Sequence, residues 1–227
     1  MPGCSHGSGS RQGTARRGFL NRDFMQDRIL VIACGAIARE LVRLRNLNGW
    51  KHMELQCLPP ELHNRPERIP AAVKDKIESQ AAHYAKVFVA YADCGTGGLL
   101  DRLLEEYAIE RLPGAHCYEF FSGSDKFHRL AEAEPGSFYL TDFLVRHFER
   151  LVVRGLGLDR QPGLMPVYFG NYKRVVYLAQ TGSKDLQAMA REQAEYLGLD
   201  FEYCFTGDEP LSVVLKPVLE PVIRENE

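Results

Sequence analysis

The chain has 227 residues, of which 45% are hydrophobic and 26% are charged, and this composition is typical of a globular protein. Lysine and arginine (28) nearly balance aspartate and glutamate (30), so the net charge of −2 excludes a general electrostatic attraction to nucleic acid or to an anionic membrane. No apolar stretch approaches the roughly 18 residues that a membrane-spanning helix requires. We therefore expect neither a nucleic-acid partner nor a membrane partner.

The amino-terminal segment differs in composition from the rest. Residues 1–26 are rich in glycine, serine and arginine and lack the apolar segment of a secretory signal, so we expect a disordered lead-in, with Cys4 in it. Residues 27–227 are then expected to form a single α/β domain. Without an export signal the expected location is the cytoplasm, where six cysteines are free thiols or metal ligands rather than disulfides.

The first predicted unit covers residues 28–58. A continuous apolar run at 28–33 predicts a buried parallel strand, and a turn at Cys34 leads into a helix over 37–44. The alternating segment 52–57 predicts the next strand, which two prolines end. A polar loop and a helix over 70–85 follow.

The second unit covers residues 86–118. It has a strand at 86–93, a glycine-rich turn, a helix over 99–107 and a short strand that leads to Cys117. Residues 118–133 and 137–153 are predicted to be mostly helical. The alternative for the second segment is a strand at 138–142 from which a helix starts at Asp142.

The third unit covers residues 173–205, with a strand at 174–179, a helix over 186–197 and a strand at 201–204. Thr181 or Ser183 is the expected N-cap of this helix, and residues 208–226 are not assigned. Alternating strands and helices predict right-handed crossovers and an α/β fold with a mainly parallel sheet. The three units either share one sheet or form three lobes around a pseudo-threefold axis.

One spacing occurs in all three units. A cysteine follows 23 positions after the first turn residue of each unit: Cys57 after Cys34, Cys117 after Cys94, and Cys204 after Thr181. The repetition favours duplication of one unit. It also predicts that the interior thiols lie at the carboxyl ends of strands, where open α/β sheets place their ligand sites.

A thiol between a strand end and a helix start tends to ionise, and the thiolate is the form that binds metal. This favours a metal site made by Cys34, Cys94 and Cys117. The ion would be zinc with an exchangeable fourth ligand, or the group would be a [4Fe–4S] cluster with one open iron. Strict repeat symmetry selects Cys57 and Cys204 with Cys117 instead, although both are interpreted here as buried apolar filler.

Other residue types near these thiols suggest further roles. Asp93 and Glu119 are candidates for acid–base catalysis or for supporting the metal ligands. Two groups of residues are candidates for binding an anionic group of a small-molecule substrate: the turn residues Gly95, Thr96, Gly97 and Gly98, and the loop residues His63, Asn64 and Arg65. Asn171, in the aromatic-rich segment 168–173, is a further candidate for substrate binding, because this segment could form one wall of a pocket. The competing interpretations are a turn capped by its aspartate and a solvated loop.

Five segments together resemble the domain-of-unknown-function family 1638, over about residues 28–207. They are Cys34-Gly35-Ala36, Leu62-His63-Asn64-Arg65-Pro66-Glu67, Tyr91-Ala92-Asp93-Cys94-Gly95-Thr96-Gly97-Gly98, His116-Cys117-Tyr118-Glu119-Phe120-Phe121 and Tyr168-Phe169-Gly170-Asn171-Tyr172-Lys173. The resemblance supplies no catalytic residues. It implies a role near one-carbon metabolism, because members tend to be encoded beside corrinoid-dependent methyltransferases.

The leading expectation is a cytoplasmic zinc or iron–sulfur protein that acts as an enzyme or accessory factor in corrinoid-linked methyl transfer. Zinc would keep a substrate thiol deprotonated, and corrinoid would be met only through a partner protein. One alternative is a non-catalytic binding module that docks on a corrinoid protein or methyltransferase. Another is a metal-free enzyme with Cys94 as nucleophile.

Overall fold

The computed structural model describes residues 28–220, so the predicted lead-in at 1–26 lies outside the described residues. Seven strands follow one another along this part of the chain: β1 Ile29–Cys34, β2 Met53–Leu58, β3 Lys86–Ala90, β4 Glu110–Arg111, β5 Ser137–Thr141, β6 Arg174–Ala179 and β7 Asp200–Phe205. The α-helices are α1 Ala38–Leu47, α2 Ile69–Gln80, α3 Leu99–Tyr107, α4 Cys117–Ser122, α5 Ser124–Ala133, α6 Asp142–Arg146, α7 Met165–Phe169, α8 Lys184–Leu197 and α9 Glu209–Leu219. None of these helices is long and apolar enough to cross a membrane.

The strands form two sheets, and every strand pair in them is parallel. The first sheet has the order β2-β1-β3-β4 and the second has the order β5-β6-β7. The predicted α/β class is therefore confirmed. The pseudo-threefold arrangement is not confirmed, because the strands divide into groups of four and three.

Strand β5, which belongs to the second sheet, lies in a segment that was predicted to be mostly helical. The alternative interpretation of residues 138–142 is the correct one, since Ser137–Thr141 is a strand and α6 begins at Asp142. The helical prediction for the start of 137–153 is wrong. Thr141 caps α6, because its hydroxyl accepts a hydrogen bond from the Leu144 amide at 3.3 Å.

The repeated spacing of 23 residues places its cysteines in unlike settings. Cys57 pairs in register with Ala33, and Cys204 pairs with Leu178, so both lie on strands. Cys117 is instead the first residue of α4. Cys204 is buried as predicted, but Cys57 is exposed and is not the buried filler that the sequence suggested.

The core explains the sequence patterns of the central strands. β1 lies inside its sheet, and residues 30–33 are fully buried, as the continuous apolar run predicts. β6 alternates instead: Val176 and Leu178 face a core shared with the first sheet, while Val175 and Tyr177 face a second core under α8. Helix α9, in the segment that the sequence left unassigned, packs into the shared core.

The first sheet positions the candidate site. Its four strands run in the same direction, so the connections that follow them all begin at the same edge. Cys34 ends β1, the loop with His63 follows β2, Cys94 follows β3, and Cys117 follows β4. These residues are far apart in sequence, and only strand pairing brings them to this edge.

Candidate metal centre

Three side chains at this edge can reach one ion. A ring nitrogen of His63 and the Sγ atoms of Cys94 and Cys117 all lie within 4.8 Å of one another. The ligand atoms of a tetrahedral zinc ion stand about 3.5–3.8 Å apart, given Zn–S bonds of about 2.3 Å and Zn–N bonds of about 2.0 Å. The upper limit of 4.8 Å is therefore compatible with these three atoms binding one zinc ion.

His63 is held by contacts that leave one nitrogen free. It lies in a 3₁₀ turn, Pro60–Asn64, and its Nδ1 is 3.2 Å from the Pro60 carbonyl oxygen and 3.7 Å from the Cys34 Sγ. Its Nε2 is buried and has no hydrogen-bond partner among the described residues. The ring also stacks on Tyr91, with 6.1 Å between centroids and 14° between planes. Nε2 is thus the nitrogen available to an ion.

Asn64 joins the His63 loop to the second half of the chain. Its Nδ2 donates a hydrogen bond of 3.2 Å to the carbonyl oxygen of Leu151. Leu151 lies in a π-helical segment, Glu149–Val153, and π-helical segments are frequent at functional sites. This bond links the loop that carries the candidate ligand His63 to the π-helical segment that lines the same cavity.

Cys94 lies in an unusual turn. Its φ is +51°, a left-handed conformation that is costly for a side chain other than glycine. Gly95, Gly97 and Gly98 also have positive φ, which glycine adopts without strain. The Cys94 amide donates a hydrogen bond of 2.9 Å to the Ala115 carbonyl oxygen, two residues before Cys117. The strain is therefore maintained by contacts that also bring the two cysteines together.

Electrostatics make the two thiols unlike each other. A hydrogen bond from the Cys117 thiol, assisted by His63, outweighs burial and lowers the pKa of Cys94 to about 5. The same hydrogen bond, together with burial, raises the pKa of Cys117 well above its usual value. Burial alone would lower the pKa of His63, but its interactions with Cys34 and Cys94 raise it. Without a metal, these interactions favour the thiolate of Cys94 and the protonated form of His63.

A cavity of about 340 Å³ opens beside these three side chains, between the two sheets. Most of its wall is apolar, and the larger apolar side chains in it include Phe121, Phe138, Phe143, Leu144, Leu151, Val152 and Leu156. None of the described residues that line it is lysine or arginine. The expected grip on an anionic substrate group therefore has no lysine or arginine in this cavity.

Cys34 does not belong to the group of three that the structure brings together. The sequence placed Cys34 with Cys94 and Cys117, but His63 occupies the position in mutual reach of the other two thiols. The Cys34 Sγ accepts a hydrogen bond of 3.3 Å from the Ala36 amide and contacts Nδ1 of His63. Cys34 thus contacts a candidate ligand instead of being one.

The predicted roles of Asp93 and of the glycine-rich turn are also corrected by the structure. The Asp93 carboxylate accepts hydrogen bonds from the Thr96 hydroxyl (2.6 Å) and from the amides of Gly97 (3.1 Å) and Gly98 (2.9 Å). Partial burial opposes ionisation, but these hydrogen bonds lower the pKa of Asp93. Two of the amides predicted to hold a substrate anion, those of Gly97 and Gly98, already hold the Asp93 carboxylate, so the turn capped by its aspartate is the better interpretation.

The remaining sequence-predicted residues lie away from the cavity. Glu119 accepts a hydrogen bond of 2.7 Å from the Ser124 hydroxyl and does not line the cavity wall. Arg65, Gly95 and Asn171 are exposed and do not line it either. Of the proposed substrate-binding residues, His63 and Asn64 reach the cavity.

Two participants were missed from the sequence. The sequence predicts that His63 binds substrate and not metal. However, the connection that carries His63 follows β2, in the same sheet as the strands that precede Cys94 and Cys117, so it begins at the same edge. Tyr91 was not assigned at all. It is 1% exposed, its hydroxyl has no hydrogen-bond partner in the part of the chain that the structure describes, and burial with the nearby Cys34 raises its pKa. No local motif distinguishes such a tyrosine from ordinary core.

The fold and the site define an α/β protein with a His-Cys-Cys cluster at the carboxyl edge of a parallel sheet, beside an apolar cavity. A family model with the description "Protein of unknown function (DUF1638)" matches residues 57–214, and the chain belongs to this family. The match covers His63, Cys94 and Cys117. No curated protein and no solved structure matches the chain.

Proposed function

We propose that this protein binds one zinc ion through His63, Cys94 and Cys117 and that a substrate binds in the apolar cavity at the fourth position. The observation that carries the proposal is the mutual reach of the three ligand atoms, which come from three different connections of one sheet. Three protein ligands with an open fourth position are the usual arrangement of catalytic zinc. The buried, unpartnered Nε2 of His63 supports the same assignment.

The close spacing favours a single ion over a [4Fe–4S] cluster. Three ligands of a cluster bind three different irons and stand farther apart than three ligands of one ion. Here all three atoms lie within 4.8 Å, and one of them is a histidine nitrogen. Zinc is therefore the proposed metal.

The proposed chemistry is the activation of a thiol for methyl transfer. Zinc at this site would act as a Lewis acid that keeps a bound thiol deprotonated. The apolar wall suits a substrate that presents a thiol on an apolar body. The methyl donor, a corrinoid protein, and the cytoplasmic location rest on the family resemblance and on sequence composition.

Metal analysis of the purified protein tests the proposal. We expect about one zinc per chain after purification without chelators and without oxygen. Cys94→Ser and Cys117→Ser should abolish zinc binding, whereas the matched variant Cys57→Ser, at an exposed thiol, should retain it. A brown protein that contains iron and sulfide would show that the bound group is a cluster and not zinc. A metal-free protein would contradict the proposal.

A second candidate function is a metal-free enzyme with Cys94 as the nucleophile. The specific observation in its favour is the lowered pKa of Cys94, about 5, beside His63, whose pKa is raised by its interactions with Cys34 and Cys94. The thiolate would form a bond to an electrophilic carbon while the leaving group departs with its electron pair. A protein that holds no metal but is labelled on Cys94 alone would select this function over zinc binding.

A further inference from the structure

A second cavity, of about 250 Å³, lies on the other side of Phe143 from the candidate metal centre. Phe143 lines both cavities. The walls of the second cavity carry equal numbers of acidic and basic side chains: Glu40, Asp142 and Asp208, and Arg39, Arg43 and Arg146. We define these six residues as the charged pocket.

Some carboxylate oxygens of the charged pocket have no hydrogen-bond partner among the described residues. Glu40 is 8% exposed and Asp208 is 7% exposed, and in residues 28–220 neither Oε2 of Glu40 nor Oδ1 of Asp208 has a hydrogen-bond partner. Arg43 forms an ion pair with Asp208 at 2.5 Å, and within residues 28–220 Glu40 forms no ion pair. A buried carboxylate oxygen without a partner is costly, so the pocket lacks a donor at this point.

Asp142 is different, because its two oxygens are fully used. They accept hydrogen bonds from the Tyr177 hydroxyl (2.7 Å), from the Gln180 amide (3.0 Å), and from the amide and hydroxyl of Thr181. Asp142 therefore contributes structure and negative charge. The acceptor sites left for a ligand are those of Glu40 and Asp208.

The basic side chains are likewise not all used. Within residues 28–220, neither Arg39 nor Arg146 forms an ion pair, and both are exposed at the rim. A guanidinium is the side chain best suited to hold a carboxylate, because it donates two parallel hydrogen bonds. Among the described residues, Arg39 and Arg146 thus lack an anionic partner, whereas Glu40 lacks a cationic donor.

A simple ion cannot pair with both the unpartnered carboxylate oxygens and the unpaired arginines of the charged pocket. A lone anion would face the unpartnered oxygens of Glu40 and Asp208, and a lone cation would face the guanidinium groups. A metal ion is also disfavoured, since in the described part of the chain only His63, Cys94 and Cys117 form a group within reach of one ion. The complementary ligand carries both charges and has no net charge.

We propose that the charged pocket binds a small zwitterion, an α-amino acid, with its ammonium group at Glu40 and Asp208 and its carboxylate at Arg39 and Arg146. The volume suits a small metabolite, because it is below the usual range of drug-sized sites. Burial, with Asp208 and Asp142 nearby, raises the pKa of Glu40 to about 7, and a bound ammonium would offset the cost of ionising it.

Thermal unfolding with each standard L-amino acid tests this proposal at about pH 8, above the pKa of Glu40. A ligand of the folded state raises the Tm, so at least one amino acid should do so. Calorimetric titration then compares that amino acid with its deaminated and its decarboxylated analogue. Each analogue should bind roughly tenfold more weakly or worse, since it leaves a buried charge unpaired.

Variants locate the binding in the charged pocket. Glu40→Gln and Arg146→Gln should each weaken binding at least roughly tenfold, whereas Arg129→Gln, an exposed arginine of α5, should bind as the wild type. Because Arg146 is at the surface, its variant remains informative if Glu40→Gln does not fold. The proposal is overturned if no amino acid raises the Tm, if either analogue binds as tightly as the amino acid, or if neither pocket variant weakens binding.

Discussion

The Sγ of Cys34 lies 3.7 Å from Nδ1 of His63, on the side of the ring opposite to the free Nε2. A metal-binding histidine almost always has a partner on its other ring nitrogen, which fixes the orientation of the ring. Cys34, at the end of β1, and the Pro60 carbonyl oxygen supply these contacts here. Cys34 is therefore a positioning residue for His63.

The first prediction concerns this contact. Cys34→Ala should retain zinc but weaken its binding by about 10–100-fold, the usual effect of removing a partner of a metal-binding histidine. Competition with a zinc chelator measures the change, and Cys57→Ala is the control because this thiol is exposed. If Cys34→Ala loses zinc completely, as Cys94→Ala should, Cys34 is itself a ligand.

The second prediction concerns the pH dependence of Cys94 in zinc-free protein. Its lowered pKa of about 5 means that the thiolate predominates above that pH, whereas an unperturbed cysteine ionises near pH 8.5. The rate of alkylation by iodoacetamide, followed by peptide mapping, should reach half its maximum at about pH 5. Cys117→Ala and His63→Ala should shift this midpoint upward, because both remove groups that stabilise the thiolate. A midpoint unchanged in both variants would contradict the assignment.

The third prediction concerns Asp93. Asp93→Ala leaves the turn around Cys94 without three hydrogen bonds, so it should lower the free energy of unfolding by about 1–3 kcal/mol in urea denaturation. Asp75→Ala, at an exposed position of α2, should change it by less than about 0.5 kcal/mol. Unchanged stability in Asp93→Ala would return this residue to the acid–base role predicted from the sequence.

The fourth prediction concerns the cavity next to the proposed zinc. With cobalt in place of zinc, addition of a small thiol such as ethanethiol should change the visible spectrum as the thiolate occupies the open position. Leu144→Trp fills the cavity from its wall, so it should abolish this change while leaving the cobalt content intact. An equal response in Leu144→Trp would mean that the open position does not face this cavity.

The fifth prediction concerns Tyr91. Its buried hydroxyl has no hydrogen-bond partner, so Tyr91→Phe should leave the free energy of unfolding unchanged or increase it. Tyr91→Ala removes a ring that is 1% exposed and should lower the free energy of unfolding by about 3–5 kcal/mol. Thermal and urea unfolding of both variants make the comparison. A large loss in Tyr91→Phe would reveal a partner for the hydroxyl, such as the Cys34 thiol.

Local signals predicted most of the regular structure. Strand β6 and helix α3 have the bounds expected from apolar pattern, and Ser183 caps α8 by accepting a hydrogen bond from the Leu186 amide. The segment around β5 was predicted to be helical because its apolar residues suit either a helix or a buried strand. Pairing with β6 decides between them, and no local pattern contains that information.

The candidate site was predicted in part, for a similar reason. Cys94 and Cys117 were selected because they border predicted strands, and the structure brings them together. The exchange of Cys34 for His63 could not be foreseen, since both belong to connections at the same edge. Which of them enters the group of three depends on the direction of each side chain, and packing against Tyr91 and Pro60 sets it.

Residue order and chemistry by themselves determined the α/β class, the parallel strands and the presence of thiols at strand ends, because backbone periodicity and turn chemistry act over short distances. Tertiary structure alone decided that the strands form sheets of four and three, that His63 joins Cys94 and Cys117, and that charges of both signs meet around Phe143. The physical reason is that these relationships join residues distant along the chain. They exist only once burial of the shared core has brought the connections of separate strands together.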